Sequence, residues 1–214
     1  PGEFLEVGTN HLSRGVTLIG AGRDETFIRS AGYYVVLQVS ATTVPVVIRD
    51  LTVGHGRNDD AASDLSIGID VTEGANVLIE NCRVTENVEG IRNYGSAVIN
   101  NSVIEGNAIG VDNHGDLEMT GATLQHNAER TVVGRSAGPA FFNSGTANVS
   151  GSTFDRNGYR DADGIGHTHA IRNTGQMNIS NSTISNNSGE SVYEDGGDLV
   201  LDHVQIVLNS TVGI

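Results

Sequence analysis

One short phrase recurs along the chain and constrains the fold more than any other feature. It has an alternating apolar run, a polar bend residue, and a second alternating run that ends in asparagine. The complete copies are VLIENCRVTEN (77–87), AVINNSVIEGN (97–107), LEMTGATLQHN (117–127), ANVSGSTFDRN (147–157), MNISNSTISNN (177–187) and LVLDHVQIVLN (199–209), and partial copies are VTLIGAG (16–22) and VVIRDLTVGHG (46–56). Repetition of this kind indicates a solenoid, because each copy can bury its apolar face only against its neighbours.

The bend residue in the middle of the phrase is of one chemical kind. Its occupants are Gly20, Asp50, Asn81, Asn101, Gly121, Gly151, Asn181 and His203. Glycine, asparagine and aspartate enter the left-handed backbone region more readily than other residues. The residue that follows is small or β-branched in every copy except the one with Leu51. This column therefore predicts a sharp bend between two short strands.

Two further columns are rich in asparagine. The phrase itself ends at Asn87, Asn107, Asn127, Asn157, Asn187 and Asn209. A second set stands two residues before a glycine and comprises Asn93, Asn113, Asn143, Asn173 and Asp195. For the first set we expect inward side chains that bond to the turn and to one another, at the strand spacing of about 4.8 Å. The second set predicts another corner.

Apolar residues alternate between these corners and form three inward rows. The rows are Ile79, Ile99, Met119, Val149, Ile179 and Leu201; Val84, Ile104, Leu124, Phe154, Ile184 and Ile206; and Ile91, Val111, Phe141, Ile171 and Tyr193. Three alternating strands per copy, in a bare turn of about twenty residues, predict an all-β fold. We expect a right-handed, three-sided parallel β-helix of about eight rungs. Residues 1–214 would form a single domain, which belongs to a longer chain or a stacked assembly.

Several of these phrases match the repeats of a known family. FxxN is intact as FDRN (154–157) and has the aliphatic versions VTEN, IEGN, LQHN and ISNN, while a GGA(I/L/V) element is degraded to VEGI, AIGV, GPAF and THAI. The opening PGEFLEVGTNHLSRGVTLIGAGRDETFI (1–28) is similar to the first rung of pectin lyase-like proteins. The chain thus resembles the pectin lyase-like superfamily, with repeats of the polymorphic outer-membrane protein type. This resemblance covers the whole chain and implies the fold, but it leaves the activity open.

The charge composition bears on the expected partners. The net charge is −14, and all 12 basic residues are arginine. An acidic chain repels nucleic acids and anionic membranes, so neither is an expected partner. No apolar run approaches the roughly 18–20 residues that a membrane span requires. Cys82 is alone, which excludes an intrachain disulfide.

Three insertions interrupt the repeat, and they are the predicted site of function. They are 54–66, 128–138 and 158–169, and each follows the corner that ends the phrase. Insertions at one corner should emerge on one side of the solenoid, where loops on a rigid scaffold commonly carry function. The candidate binding residues in or beside them are His55, Arg57, Asp59, Asp60, Arg156, Tyr159, Arg160, His167 and His169. Carboxylates opposite arginines suit acid–base chemistry, or binding of Ca²⁺ together with a uronate.

The third insertion also holds the candidate metal ligands, Asp161 and Asp163. Their segment DADG resembles a fragment of a calcium loop, but the full pattern with its distal glutamate is missing. A solvated turn of aspartate and glycine is the alternative interpretation. His167 and His169 have the spacing of two metal ligands on one strand face, or are surface residues. Ca²⁺ is therefore the one cofactor that the sequence suggests.

No catalytic motif is recognisable, and two functional hypotheses follow. The first is a secreted, extracellular or cell-surface β-helix with a structural, adhesive or carbohydrate-binding role. Since no capping helix is visible at either end, copies are expected to stack end to end into a filament unless a longer chain covers the ends. The second is a polysaccharide-active lyase or epimerase that uses the insertions 54–66, 128–138 and 158–169. The expected partners are thus a polysaccharide or glycan, and other copies of the chain.

Overall fold

The computed structural model describes residues 1–6, 8–30, 35–55, 66–129, 138–158 and 168–210, and within these ranges it contains strands and no helix. The strands are numbered in chain order and form three sheets. Sheet 1 contains β1 (Gly2–Glu6), β4 (Thr26–Ser30), β7 (Thr52–His55), β10 (Arg83–Thr85), β13 (Val103–Glu105), β16 (Thr123–Gln125), β19 (Thr153–Asp155), β22 (Thr183–Ser185) and β25 (Gln205–Val207). Sheet 2 contains β2 (Asn10–Leu12), β5 (Val35–Val39), β8 (Ile67–Val71), β11 (Glu89–Asn93), β14 (Ile109–Asn113), β17 (Phe141–Asn143), β20 (Ile171–Asn173) and β23 (Val192–Glu194). Sheet 3 contains β3 (Thr17–Ile19), β6 (Val46–Arg49), β9 (Asn76–Glu80), β12 (Ser96–Asn100), β15 (Asp116–Thr120), β18 (Thr146–Ser150), β21 (Gln176–Ser180) and β24 (Asp198–Asp202).

Every neighbouring pair within a sheet is parallel and joins equivalent positions of successive rungs. In β12 and β15, for example, Ile99 stands opposite Met119. The chain therefore visits the three sheets in turn and returns one rung further along the axis. The predicted all-β, three-sided parallel β-helix is confirmed.

The core is one continuous column inside the three sheets. The predicted rows pair in register and are almost fully buried through the central rungs. The largest rings in the column are Phe141 and Phe154, whose centroids lie 6.1 Å apart with nearly parallel planes. Since each ring packs between rungs, core stability depends mainly on contacts between neighbouring copies.

The prediction was wrong for the last member of the third row and of the second asparagine column. Val192, which is fully buried, pairs with Ile171, whereas Tyr193 points outward and is 37% exposed. Glu194 occupies the corner position that was assigned to Asp195, and it accepts a hydrogen bond from Asn173. The aspartate–glycine spacing of this copy was misleading because its corner is one residue longer. The inward position requires an apolar residue, which only the shifted register supplies.

The bend column has the predicted conformation in seven of its eight copies. Asp50, Asn81, Asn101, Asn181 and His203 have φ between 49° and 59°, and the glycines at 121 and 151 have φ of 63° and 55°. Gly20 is the exception, since it is not left-handed. A Cβ at Gly20 would lie 2.1 Å from the carbonyl oxygen of Asp50, so close approach of the next rung requires glycine there.

Both asparagine columns form continuous hydrogen-bonded ladders. In the first, each side-chain Nδ2 donates to the Oδ1 of the next asparagine, from Asn87 through to Asn209, at 2.9–3.1 Å. The same Oδ1 also accepts from the backbone N–H of the preceding asparagine. The second ladder runs from Asn93 to Asn173 with Nδ2–Oδ1 distances of 2.7 Å. These bonds therefore pair buried polar groups of the two corners from one rung to the next.

Cys82 lies in the core, so the reactivity and ionisation of its thiol test whether the core column is closed to solvent. Burial raises the pKa of its thiol to about 11, and its Sγ lies 3.3 Å from the carbonyl oxygen of Glu80. We expect the folded protein at pH 8 not to react with a thiol reagent, whereas the unfolded protein reacts at once. The ordinary pKa of a cysteine thiol, which applies to the unfolded chain, is 9.0. The contribution of Cys82 to stability is therefore complete below that pH and is lost as pH rises towards 11, by about 1.4 kcal/mol per pH unit.

Urea unfolding between pH 7 and 10.5 measures this loss, with Cys82→Ala as the control that lacks the thiol. Rapid modification of the native thiol at pH 8, or identical pH profiles for the two proteins, would contradict the prediction.

Candidate functional site

The outer face of sheet 2 gathers aromatic and charged side chains in a single row. The register of β8, β11, β14, β17, β20 and β23 aligns Asp70, Arg92, Asp112, Phe142, Arg172 and Tyr193. A second row beside it comes from the corner, where the residue between asparagine and glycine faces outward. This residue is Tyr94, His114, Ser144 and Thr174 in successive rungs. The fold thus brings together residues that stand 20 to 30 positions apart in the chain.

These side chains touch one another without a break along the helix axis. The guanidinium of Arg92 lies 5.9 Å from the ring centre of Tyr94, which stacks on His114 at 4.7 Å and 7°. His114 meets the edge of Phe142 at 5.7 Å, and the Arg172 guanidinium lies 5.7 Å from Phe142 and 5.9 Å from Tyr193. Tyr193 in turn stacks on His169 at 4.6 Å and 13°. We call these residues the aromatic stripe: Arg92, Tyr94, His114, Phe142, His169, Arg172 and Tyr193.

Both arginines of the stripe are fixed by carboxylates. Arg92 Nε lies 2.9 Å from Asp70, whose other oxygen accepts a hydrogen bond from Gln38. Arg172 is bound to Asp195 at 2.5 Å. These pairs hold the guanidinium planes beside the rings and cancel much of their charge.

The histidine at the far end of the stripe is neutral at pH 7. Burial lowers the pKa of His169, and this effect outweighs the opposing influence of Glu190 at 3.2 Å. The nearby Arg172 guanidinium also lowers the pKa. The imidazole therefore stacks on Tyr193 as an uncharged ring.

A shallow pocket of about 490 Å³ lies at the other end of the stripe. It is lined by Asp70, Thr72, Glu73, Arg92, Tyr94 and His114. Its walls come from β8, from β11 and from the corners that follow β8, β11 and β14. The pocket spans the rung of β8, which follows the first insertion, and the rungs of β11 and β14, which contain no insertion.

The predicted site residues have different outcomes. His169 belongs to the aromatic stripe. Arg156 lies at the corner that follows β19, its side chain is exposed, and it pairs with Asp155 at 3.6 Å. His55 ends β7, and its side chain lies outside the described part of the chain. The other candidates also fall outside it and stay predictions: Arg57, Asp59, Asp60, Tyr159, Arg160, Asp161, Asp163 and His167.

Each insertion stands in the sequence between a strand of sheet 1 and the next strand of sheet 2, so the described strands that flank the three insertions meet at the same corner of the solenoid. Among the described residues no group of three His, Cys, Asp or Glu side chains could hold a metal ion. The same residues include no helix with the length and apolar character needed to cross a bilayer. Ca²⁺ binding at Asp161 and Asp163 therefore stays a prediction.

Sequence reasoning missed most of the aromatic stripe. It assigned Tyr193 to the core and did not consider Tyr94, His114 or Phe142. One signal was available, because the residue between each corner asparagine and its glycine varies from copy to copy while its neighbours do not. Such variation marks a side chain that the corner itself does not use.

Comparisons with known proteins agree with this architecture. A family model described as a right-handed beta helix region matches residues 26–214. The crystal structure of the Dettilon tailspike protein is similar at TM-score 0.67 and 10% identity, over 90% of this chain and 39% of that one. The pectin methylesterase PemA from Erwinia chrysanthemi is similar at TM-score 0.44 and 10% identity, over 91% of this chain and 80% of that one. No curated protein matches by sequence.

These likenesses concern the fold alone. The chain spans about two fifths of the tailspike, with 39% of that chain covered, and the TM-score of 0.44 to the methylesterase carries no argument. The right-handed coil is confirmed by the family model. The more specific likeness to repeats of polymorphic outer-membrane proteins stays a prediction.

Proposed function

The chain belongs to the right-handed β-helix family, and we propose that it binds a glycan along the aromatic stripe of sheet 2. The observation that carries this proposal is the unbroken series of contacts from Arg92 to Tyr193. Sugar rings pack their C–H faces against aromatic rings, and their hydroxyl groups bond to charged side chains held in place. Tyr94 and Tyr193 are 47% and 37% exposed, so both offer ring surface to a ligand.

The dimensions of the stripe suit an extended oligosaccharide. Tyr94 and Tyr193 stand four rungs apart, which is about 19 Å along the axis at the usual strand spacing. One hexose advances a glycan chain by about the height of one rung. A glycan that lies parallel to the axis would therefore meet a new ring or guanidinium at nearly every residue, starting in the pocket beside Tyr94.

The charge of the face favours a neutral glycan. Carboxylates outnumber arginines on the described part of this face, and the carboxylates include Asp70, Glu73, Glu89, Asp112, Glu190 and Asp195. Arg92 and Arg172 are already paired with carboxylates. A uronate polymer would bring more negative charge to an acidic protein of net charge −14. The ligand class that fits is a neutral polysaccharide.

A glycan-binding β-helix of this kind would act at a cell surface or in the extracellular space, with adhesion as its role. End-to-end stacking into a filament is a separate proposal, and light scattering over a concentration series would test it.

The lyase or epimerase alternative is favoured by one observation, the pocket that combines Asp70, Glu73 and Arg92. Ultraviolet absorbance of unsaturated products from uronate polymers, with and without Ca²⁺, would test for a lyase.

Glycan binding is tested with immobilised neutral polysaccharides and with polygalacturonate. We expect binding to one or more neutral polymers, and Tyr94→Ala and Tyr193→Ala should each weaken it by about three- to tenfold. The matched control is Phe27→Ala, which removes a ring packed under Arg29 on sheet 1, at 5.4 Å from its guanidinium. Affinity for no polymer, or binding that neither tyrosine affects, would contradict the proposal.

A further inference from the structure

His114 of the aromatic stripe forms a hydrogen-bonded relay with two side chains beside the stripe, Ser144 and Asp112. Ser144 Oγ lies 2.7 Å from His114 Nδ1, and His114 Nε2 lies 3.0 Å from an oxygen of Asp112. Asp112 is on the outer face of β14, and His114 follows at the corner. Ser144 occupies the same corner position one rung further on. Serine, histidine and carboxylate are thus in series, the arrangement that activates a serine nucleophile.

The chemistry of the three groups fixes the direction of the relay. An ionised carboxylate only accepts hydrogen bonds, so Nε2 of His114 carries the proton that faces Asp112. In the neutral imidazole Nδ1 is then the lone-pair nitrogen, and it accepts the hydroxyl proton of Ser144. A second acceptor near Ser144 Oγ is the carbonyl oxygen of Asn113 at 3.4 Å, which is too long to compete.

The imidazole is held in the orientation that the relay needs. Tyr94 covers one face of His114 at 4.7 Å and 7°, and Phe142 meets it at 5.7 Å and 60°. The side chains of His114 and Asp112 are 27% and 15% exposed, whereas Ser144 is exposed. The base and its carboxylate are therefore sheltered, and the nucleophile is open to a substrate.

The corner does not need this relay for its own structure. At the equivalent position of the next rung, Thr174 Oγ1 donates to the carbonyl oxygen of Asn143 at 3.2 Å. A purely structural Ser144 would make the same bond to Asn113, but its shorter contact is to His114. Tyr94 forms the corner of another rung without a hydroxyl at this place.

We propose that Ser144, His114 and Asp112 hydrolyse acyl esters, and that the substrate class is an O-acylated glycan lying on the aromatic stripe. Ser144 Oγ bonds to the ester carbonyl carbon while its proton passes to His114 Nδ1. The C–O bond to the alcohol then breaks, and the alcohol leaves with that proton. Water adds to the acyl carbon and gives a proton to Nδ1, after which Ser144 regains the proton as the carboxylic acid departs. Asp112 positions the imidazole throughout.

The reaction class follows from the groups present. A serine–histidine pair performs acyl transfer, whereas cleavage of a glycosidic bond generally requires two carboxylates that flank it. The open face lets a small acyl group on a long chain reach Ser144 while the chain itself lies against Tyr94 and Phe142. The proposal rests on the proposed glycan binding only for the carrier of the ester, because the relay itself can be tested with a small ester.

The test combines covalent labelling with turnover of p-nitrophenyl acetate. A fluorophosphonate probe should label the wild-type protein, and peptide mapping should place the adduct on Ser144. His114→Gln should abolish the adduct although Ser144 is intact, and Ser144→Ala should lower turnover by at least about a hundredfold. Asp112→Asn should lower kcat by at least about tenfold with KM unchanged, as expected of a positioning residue. Ser150→Ala, which removes a hydroxyl bonded to Thr120 on sheet 3, is the matched control and should change nothing.

An unlabelled Ser144 in the wild-type protein, or labelling that survives His114→Gln, would overturn the proposal whether or not the variants fold well. These outcomes are separate from the test of glycan binding. A protein that binds neutral polysaccharide but shows no adduct has a binding face without the relay chemistry. An adduct on Ser144 without glycan affinity supports the esterase and removes the proposed carrier.

Discussion

Replacement of Asn127 by alanine is expected to lower the free energy of unfolding by about 3–5 kcal/mol. Asn127 is fully buried in the middle of the first ladder. Its Oδ1 accepts from both the backbone N–H and the Nδ2 of Asn107, and its own Nδ2 donates to Ile104 at 2.7 Å and to Asn157 at 3.1 Å. Alanine would leave donors and acceptors without partners in a space closed to water. Each such group costs about 1–3 kcal/mol.

Urea unfolding followed by circular dichroism measures this loss. The control is Asn178→Ala, which removes an exposed asparagine bonded to Asn148 on sheet 3 and should cost less than about 1 kcal/mol. Because a solenoid is stabilised by contacts between neighbouring rungs, Asn127→Ala is also expected to broaden the transition or divide it in two. Equal unfolding midpoints for the two variants would show that the ladder is not a major source of stability.

The ladders and the inward rows were predictable because both follow directly from side-chain type and spacing. An apolar residue at every second position and an asparagine at every rung leave little choice of architecture. The left-handed residue before each ladder asparagine was not predictable. This position holds Glu86, Gly106, His126, Arg156, Asn186 and Leu208, all with φ between 52° and 66°. Most of these residues are disfavoured in the left-handed conformation by roughly 1–2 kcal/mol. The hydrogen bonds of the ladder therefore impose this conformation, and the local preference of the residues does not.

The candidate site was harder to predict for a different reason. The stretch NYGSAVINNSVIEGNAIGVDNHG (93–115) reads as architecture, and its asparagines are architectural, as expected. The functional candidates are the residues beside those asparagines, Tyr94 and His114. Each has one partner two residues before it, Arg92 for Tyr94 and Asp112 for His114, but the other partners come from neighbouring rungs, 20 or 30 residues away. Only the register of the rungs places Ser144 next to His114.

The backbone is also closely packed at the corner that carries Ser144. Gly115, Gly145 and Gly175 stack on one another, and a Cβ on each would lie 2.2 Å from the carbonyl oxygen of the glycine one rung below. The close spacing of these backbones holds the outward side chains in line. The stability of the corner and the geometry of the proposed site therefore depend on the same glycines.

Replacement of Gly145 by alanine is expected to destabilise the protein by about 3 kcal/mol or more, and to abolish labelling of Ser144. The new Cβ would meet backbone atoms of the rung below, at 2.2 Å from Gly115 O and 2.7 Å from His114 C, and neither can move without shifting that corner.

The matched control is Gly106→Ala. Gly106 has φ of 66°, but its Cβ would approach nothing nearer than Thr85 Oγ1 at 3.4 Å. Other rungs hold non-glycine residues in this conformation, so this change should cost only about 1 kcal/mol and leave Ser144 reactive. Urea unfolding and fluorophosphonate labelling of both variants separate the effect of a backbone clash from that of left-handed strain. Equal stability and equal labelling would mean that the corner relaxes freely, and that rigid stacking of the glycines does not maintain the contact between Ser144 and His114.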